Sequence, residues 1–402
     1  MKLESAFQNF LKNTVNLNET RYGRAIEAID TMGKLLKNND IFGSKFIDLK
    51  SQGSFRQETI IKPVNPDMDF DVDLLFEMRA VDGWTPASYL ERLANEFKKL
   101  DRYKDLIDIR GKTRCVTIDY ETDFHIDIVP SVSLYRGQQV IMNKTTNAFE
   151  TTDGDGYAEW FQRQSELTGK KHLIKVVRLM KYIRDSQKKF EIKSILLTTL
   201  LGNMVLSTDI QDQQYPDLPT AFLTLIMRLD SYLQANPTMR TTVNPVLSSE
   251  NFNRHWDQDK YRIFREQIYG YARATSDAYD ESNETKSLEK WQRVFGDGFV
   301  IPGHSSEKTL TRSINRDPGE KFLSDLGIRE NLQYTVKIDA NVTQDGFRQF
   351  SLRKSTFLLK KERSLDFVVT YCNVPYPFSI KWKIKNNGQE ATSLNALRGR
   401  DC

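Results

Sequence analysis

The 402-residue sequence has few cysteines and no long apolar run. Its three cysteines, Cys115, Cys372 and Cys402, are odd in number and widely spaced, which indicates neither a disulfide framework nor a cysteine-type zinc site. No stretch approaches the roughly 18 consecutive apolar residues of a membrane-spanning helix, and the first residues contain no apolar signal-peptide core. We therefore expect a soluble, unexported protein of a reducing cytoplasm with no membrane partner.

The sequence also lacks an excess of either charge. It has 58 Lys or Arg and 54 Asp or Glu, so bulk charge does not argue for DNA or membrane binding, and any nucleotide site must be local. Hydrophobic residues at 39% and charged residues at 28% are ordinary for a soluble protein, which argues against global disorder. The length is too great for one ordinary core and predicts two or three domains.

Apolar periodicity divides the sequence into four regions and predicts an α+β protein. Residues 1–156 combine a helix or helix pair with short β-rich runs, and residues 157–303 return to the spacing of a helical lobe. A polar linker, 304–330, leads to a β-patterned region, 331–402, with twelve Lys or Arg against six Asp or Glu. The main predicted strands are Asp69–Met78, Val116–Tyr120, Phe124–Val129, Tyr334–Ile338, Thr356–Leu359, Leu365–Tyr371 and Phe378–Ile384, and the clearest predicted helices are Leu173–Ile183 and Ile192–Val205.

Acidic and apolar residues alternate in the predicted strand Asp69–Phe76. Side chains two residues apart in a strand face the same way, so Asp71 and Asp73 present both carboxylates on one side while the intervening apolar residues enter the core. Their repulsion would raise a pKa unless a cation neutralised them, and hard oxygen ligands favour Mg²⁺. A divalent-metal site is therefore predicted. Asp67 and Asp69 leave open which pair binds, and an exposed acidic edge strand is the alternative.

A third carboxylate lies in the predicted strand Phe124–Val129. Asp127 is flanked by isoleucines, so it faces the polar side of an otherwise buried strand and is a candidate metal ligand or base. His125 shares that face, and we expect a lone histidine there to form a hydrogen bond rather than to catalyse.

Three segments together resemble one family. Gly53-Ser54, Asp71-Val72-Asp73-Leu74 and Asp127 within Phe-His-Ile-Asp-Ile resemble the polymerase-β-type nucleotidyltransferases, and among these the bacterial CD-NTases, relatives of animal cyclic GMP-AMP synthase and oligoadenylate synthetase. The resemblance implies a polymerase-β-type mixed sheet with a helical lobe, catalytic and metal-binding Asp71, Asp73 and Asp127, two Mg²⁺ ions with Mn²⁺ as a possible substitute, and ATP, GTP or other NTPs as substrates. It further implies a cyclic di- or trinucleotide messenger that reaches a downstream effector in bacterial anti-phage (CBASS) signalling.

The Gly-Ser segment is a candidate phosphate-binding turn. Gly53 has no side chain, so its backbone can approach phosphates closely, and Ser54 can donate to their oxygens. Gln52 and Arg56 flank the turn and are further candidates, although Arg56 could equally be a surface charge.

Two helical residues complete the expected nucleotide site. Lys181 lies in a segment that resembles the family helix whose lysine meets triphosphate oxygens, and Ser194 begins the next helix, where the family often supplies a phosphate-contacting serine. The alternatives are a solvated helix face for Lys181 and an N-terminal helix cap for Ser194.

The basic tail carries a second resemblance. Pro375-Tyr376-Pro377-Phe378, Lys381–Gly388 and Leu397-Arg398-Gly399 resemble the C-terminal sensor domain fused to some adenylyl/guanylyl cyclases and bacterial cyclic-oligonucleotide synthases. That domain ordinarily continues beyond the Arg-Gly turn, whereas this sequence stops at Cys402, so the resemblance leaves open whether the sensor is complete. It implies that the domain could take an activating ligand. A solvated basic β-domain is the alternative, and contact with nucleic acid stays open.

Two other functions share these residues. A synthase of linear oligonucleotides, or an enzyme that extends an RNA end, would use the same carboxylates. An inactive nucleotide or nucleic-acid sensor would not, and three intact carboxylates argue against it because an inactive protein gains nothing from an unneutralised acidic cluster.

Overall fold

The computed structural model describes residues 1–64, 69–108, 112–120, 124–134, 137–302, 334, 336–343, 349–352, 364–374 and 380. The chain divides into two compact units, Met1–Ser305 and Ser306–Cys402. About 47% of these described residues are helical and 21% are in strands, which confirms the α+β class. The predicted boundary between residues 156 and 157 lies inside the first unit and stays a prediction.

The first unit contains ten α-helices within its described residues. The first two are separated by a π-helical turn, Leu11–Val15, so of the two predicted alternatives, one helix or a helix pair, the structure has the pair. Asn18, Asp153 and Asn283 each precede a helix and accept a hydrogen bond from a first-turn N–H, which stabilises a helix by about 1 kcal/mol. The helices are α1 Glu4–Phe10, α2 Glu19–Lys37, α3 Gly53–Arg56, α4 Pro86–Lys98, α5 Gly154–Leu167, α6 His172–Gln187, α7 Ser194–Asn203, α8 Leu218–Ala235, α9 Gln258–Asp280 and α10 Glu284–Phe295.

A seven-stranded mixed sheet carries the acidic strands of the first unit. The strands are β1 Phe46–Ser51, β2 Phe70–Met78, β3 Ile107–Asp108, β4 Val116–Tyr120, β5 Phe124–Ser133, β6 Gln139–Asn143 and β7 Ala148–Thr151. Their order is β1-β2-β5-β4-β3, with β6 paired to β5 and β7 to β6. Only β2 and β5 run parallel among these pairs, and they lie side by side at the centre. A separate hairpin joins β8 Val243–Asn244 to β9 Leu247–Asn251.

Two apolar clusters support this arrangement. One lies under the sheet, where alternate residues of β2 and β5 such as Val72 and Ile126 are fully buried against α2 and α4. The other fills the helical lobe and includes α1, whose Phe7 makes edge contacts with Trp291 and Phe295 of α10. Burying such aromatic side chains stabilises a fold by several kcal/mol in total. Both clusters lie within the first compact unit, Met1–Ser305.

The described residues of the second unit form a three-stranded antiparallel sheet. Its order is β11-β10-β12, from β10 Val336–Thr343, β11 Phe350–Ser351 and β12 Ser364–Cys372. Strands β10 and β12 correspond to two predicted strands. The predicted strand Thr356–Leu359, the predicted strand Phe378–Ile384 except residue 380, and the linker 304–330 lie outside the described residues. None of the described helices combines the length and the apolar character that spanning a bilayer requires.

Candidate active site

The Gly-Ser turn is fixed against strand β2. The Gln52 N–H donates to the Asp73 carbonyl oxygen at 2.7 Å, and the turn continues into the short helix α3. Gly53 has φ +58°, in the left-handed region that favours glycine, and a Cβ added there would overlap the Asp73 carboxylate. Glycine is therefore required by both the backbone conformation and the carboxylate beside it.

The three predicted carboxylates lie together on one face of the sheet. In the parallel pairing of β2 with β5, Asp73 is opposite Asp127 and Asp71 is opposite His125. The alternating residues Val72 and Leu74 are fully buried on the other face. The alternation within each strand was predictable, and the register between the strands is what brings the carboxylates to one place.

Each carboxylate has a distinct environment. Asp71 is 65% exposed, and its Oδ1 lies 2.6 Å from His125 Nε2, a hydrogen bond that lowers the pKa of Asp71 and raises that of His125. Asp127 accepts from the Thr117 hydroxyl and lies 3.3 Å from Lys112 Nζ. Burial, together with the charges of Asp127 and Asp71, raises the pKa of Asp73 to about 6. His125 therefore forms the hydrogen bond that we expected.

The carboxylate chemistry suits a divalent cation. Three neighbouring carboxylates offer the hard oxygen donors that Mg²⁺ prefers. Burial first, and then repulsion from Asp127 and Asp71, raises the pKa of Asp73, and a bound cation would offset both effects. Within the described ranges, no group of three or more His, Cys, Asp or Glu side chains is already arranged around a metal position. His125 instead pairs with Asp71 and Lys112 with Asp127, and a bound cation would neutralise these carboxylates in their place.

A cavity of about 940 Å³ opens beside the carboxylates. It is bounded by α3, β2, α6 and the start of α7, and its lining includes Ser54, Asp71, Lys181 and Ser194. These four belong to the nine residues that the sequence indicated for the site and its flanks, so they line the same cavity. The nine are Gln52, Gly53, Ser54, Arg56, Asp71, Asp73, Asp127, Lys181 and Ser194. The remaining charged lining residues are Asp69, Arg184, Asp185, Lys188, Glu191, Lys193 and Lys260, and Phe190, Ile192 and Trp256 add apolar surface.

Lys181 is buried rather than solvated. Its side chain is on α6, the residue is 3% exposed, and Nζ donates to both the carbonyl oxygen and the hydroxyl oxygen of Thr59, each at 3.0 Å. Burial lowers the pKa of Lys181 to about 7. The solvated-face alternative is therefore wrong, and Lys181 reaches the cavity from inside the fold.

Ser194 is the first residue of α7 rather than its cap. Lys193 occupies the cap position, and the Ser194 hydroxyl accepts from Arg184 Nη1 at 3.1 Å. The helix-cap alternative is therefore wrong. The hydroxyl and the guanidinium line the same cavity, so both can meet an anionic ligand there.

The residues that flank the Gly-Ser turn face another part of the structure. The Gln52 amide packs against Gly154 at the start of α5, where a Cβ on Gly154 would come within 2.6 Å of Gln52 Oε1. Arg56 forms an ion pair with Asp155 of α5, which also lies 3.0 Å from Lys50 Nζ. The structure therefore gives Gln52 and Arg56 contacts that tie the turn to α5.

Three residues that support the site carry no signal in the acidic and Gly-Ser segments. Thr117, Lys112 and Thr59 all contact predicted site residues, although none belongs to the three matching segments. Thr117 interrupts the apolar pattern of β4, which could have indicated a polar contact. Lys112 and Thr59 lie in loops, where no periodicity marks the direction of a side chain.

Two family models match the chain. Residues 1–165 match the Second Messenger Oligonucleotide or Dinucleotide Synthetase domain, and residues 317–401 match the Adenylyl/Guanylyl and SMODS C-terminal sensor domain. A curated relative, a c-di-GMP synthase of Roseivirga ehrenbergii, is 24% identical over 324 residues, which cover 73% of this chain and 81% of the relative.

Solved structures share the fold of the chain. Escherichia coli MS115-1 CdnC with ATP matches with a TM-score of 0.59 at 18% identity, over 74% of this chain and 98% of that protein. The Bradyrhizobium diazoefficiens CD-NTase CdnG with GTP matches with a TM-score of 0.58 at 15% identity, over 74% and 97%. Vibrio cholerae DncV cyclic AMP-GMP synthase with a linear intermediate matches with a TM-score of 0.56 at 17% identity, over 74% and 97%.

The domain matches and the fold agree with the resemblance seen in the acidic segments and in the tail. The chain is a bacterial CD-NTase, a nucleotidyltransferase of the cyclic-oligonucleotide-synthase type, with a C-terminal sensor domain.

Proposed function

We propose that this enzyme condenses ATP, GTP or both into a cyclic di- or trinucleotide, with Asp71, Asp73 and Asp127 as its catalytic and metal-binding residues. The observation that carries the proposal is the register of β2 with β5, in which Asp73 faces Asp127 next to the Gly-Ser turn. The candidate bases come from relatives named for c-di-GMP and for cyclic AMP-GMP synthesis.

The three carboxylates would hold two Mg²⁺ ions, with Mn²⁺ as a substitute. When bound, such ions supply positive charge to the triphosphate and lower the pKa of an attacking hydroxyl. A bound cation would stabilise the ionised form of Asp73, which burial and the two neighbouring carboxylates disfavour. Thr117 and Lys112 hydrogen-bond to the two oxygens of Asp127, and these contacts would hold its carboxylate in one rotamer for the acceptor hydroxyl.

The polyphosphate would lie along the cavity. Gly53 would let the backbone come close to the phosphates, and the Ser54 hydroxyl would donate a hydrogen bond to their oxygens. Lys181 and Ser194, which line the cavity, would contact the phosphates from α6 and α7. In the reaction, a ribose hydroxyl of one nucleotide releases its proton to water and its oxygen bonds to the α-phosphorus of another nucleotide. The bond from that phosphorus to the β-phosphate oxygen breaks and pyrophosphate leaves. A second such transfer closes the ring. Gln52 would act by holding the turn through its N–H bond to Asp73.

The biological setting is part of the same proposal. A cyclic nucleotide is a diffusible product, so it would act on a downstream effector in cytoplasmic anti-phage (CBASS) signalling. The C-terminal sensor domain would take the activating ligand, whose chemistry is open to nucleotides and to nucleic acid because residues 331–402 are basic.

The test is incubation with the four labelled NTPs and Mg²⁺, followed by phosphatase treatment and product mapping. Cyclic products lack a terminal phosphate and so resist phosphatase. A phosphatase-sensitive oligomer would identify a linear synthase, and label found only on added RNA would identify an RNA-end transferase. No product under any condition, including added nucleic acid, would favour the inactive sensor.

A further inference from the structure

Residues 57–60 connect two parts of the nucleotide site, and we call them the strap. They follow α3 directly, and the Thr59 N–H donates to the Ser54 carbonyl oxygen at 2.9 Å. Thr59 is fully buried, so this segment is part of the interior rather than a surface loop. The strap is thus bonded to the Gly-Ser turn at one end of the cavity.

Three basic residues of the α6 region hold the strap. Lys171 Nζ lies 2.8 Å from the Glu58 carboxylate, and Arg178 Nε donates to the Glu58 carbonyl oxygen at 2.6 Å. Lys181 then donates to Thr59. Glu58 has φ +55°, a left-handed conformation that is costly for a residue with a side chain and persists only where its surroundings impose it. These contacts explain why that conformation is kept.

Thr59 also decides where the Lys181 ammonium points. An ammonium has three N–H donors, and two of those of Lys181 go to the carbonyl and hydroxyl oxygens of Thr59. Among the residues that the structure describes, its hydrogen bonds go to Thr59 alone, and Lys181 lines the cavity. With two donors fixed, the third is directed by geometry and is available to a phosphate oxygen.

We propose that Thr59 is a positioning residue for the nucleotide triphosphate. Thr59 directs the Lys181 ammonium into the cavity and links it to the turn that contains Ser54. This inference rests on the proposed function, since it takes Ser54 and Lys181 as phosphate contacts. One residue bonds to both contacts, so the spacing between them is set by the strap and is present before substrate binds. Such preorganisation lowers the cost of ordering the site and is felt in substrate affinity.

The test compares steady-state KM and kcat for NTP in five variants of the full chain. Thr59→Val removes the hydroxyl acceptor and should raise KM about tenfold, a low value for a charge-assisted hydrogen bond because the Thr59 carbonyl remains. Its kcat should stay within about twofold, since a ground-state contact is felt mainly in binding. Thr59→Ser keeps the acceptor and should restore KM to within about twofold of wild type.

Lys181→Met and the double variant T59V/K181M show whether Thr59 acts through Lys181. K181M should raise KM, and T59V should add nothing to it, because the group that Thr59 positions is gone. Thr275→Val is the matched control. Thr275 is fully buried, its hydroxyl has no hydrogen-bond partner within the described structure, and it lies about 22 Å along α9 from Lys260 of the cavity at 1.5 Å per residue. Its KM should equal that of wild type.

Each contrary outcome has a separate meaning. A raised KM for K181M with an unchanged KM for T59V would overturn the inference and leave the proposed function standing. An equal rise from T59V in the wild-type and K181M backgrounds would also overturn it, because the effect would then be general. An unchanged KM for K181M at normal turnover would remove Lys181 from the phosphate site and overturn the inference, while the proposed function would stand with phosphate binding left to Ser54 and Ser194. If T59V does not fold, Thr59→Cys, whose sulfur is a weak acceptor of similar volume, gives the same comparison.

Discussion

Replacing Asp73 with asparagine should stabilise the metal-free enzyme and abolish its activity. The structure holds this carboxylate between Asp71 and Asp127, where burial and the two neighbouring charges raise its pKa from 3.8 to about 6. Asparagine keeps the shape of the side chain and removes the charge. The substitution therefore separates the contribution of the carboxylate to folding, which is unfavourable, from its contribution to metal binding and catalysis.

The size of the effect follows from the pKa. At about 1.4 kcal/mol per pKa unit, the rise from 3.8 to about 6 corresponds to ~3 kcal/mol of lost stability when Asp73 is ionised in the fold. Because the folded pKa is the higher one, this loss is absent below pH 3.8, grows between pH 3.8 and about 6, and is complete above about 6. For a unit of 305 residues the gain in Tm for D73N is about 5 °C, at ~2.1 cal/mol/K per residue.

Thermal unfolding in EDTA at pH 8 and at pH 4 measures this difference. D73N should unfold at the higher temperature at pH 8, and the two proteins should converge at pH 4. Asp230→Asn is a matched control, because Asp230 is 5% exposed on α8 and accepts from Gln234 outside the cavity, so D230N should keep full turnover. A D73N variant less stable than wild type in EDTA at pH 8 would refute the electrostatic reasoning.

Further predictions concern the other site residues. Asp127→Ala should reduce turnover by at least about a hundredfold, as expected when a positioned acid-base or metal-activating group is lost. Triphosphate binding should stay detectable by calorimetry. A proportional loss of binding and turnover would make Asp127 a simple binding residue. Lys181→Ala should raise KM for NTP more than it lowers kcat, at a cost of about 1–3 kcal/mol for a charge-assisted hydrogen bond; an unchanged KM would leave phosphate binding to Ser54 and Ser194. Burial lowers the pKa of Lys181 from 10.5 to about 7, so the charged lysine reduces the free energy of unfolding. This loss is complete below about pH 7 and disappears as the pH rises to 10.5. Denaturant unfolding should therefore find Lys181→Met most stabilised relative to wild type below pH 7, and a stabilisation independent of pH would contradict the assigned cause.

The sequence was sufficient to predict which side chains face the site within each element. Alternation in β2 put Asp71 and Asp73 on one face, and the helical spacing around Lys181 located α6 to within a few residues. These are local properties, since the periodicity of a strand or helix is carried by neighbouring residues. The β-patterned tail likewise predicted β10 and β12.

What joins these elements could not be predicted from local pattern. Pairing of Asp73 with Asp127 is a matter of strand register, and a shift of one residue would have turned one carboxylate to the opposite face. The buried Lys181 ammonium finds two acceptors on Thr59, which lies in a loop more than a hundred residues earlier. Gln52 neighbours the turn in sequence, yet its amide packs on Gly154 of α5. Long-range contacts of this kind leave no periodic pattern in the sequence, so they could not be predicted from it.

Product formation by the double variant Asp71→Asn/Asp73→Asn tests the central claim most directly. Wild type and the variant would be incubated with the four labelled NTPs and Mg²⁺, treated with phosphatase, and compared by chromatography, with circular dichroism to check that both are folded. We expect a phosphatase-resistant cyclic product from wild type and none from the variant, whose fold should be intact because removing clustered negative charge relieves repulsion. A folded variant that still forms the product would contradict the assignment of these carboxylates.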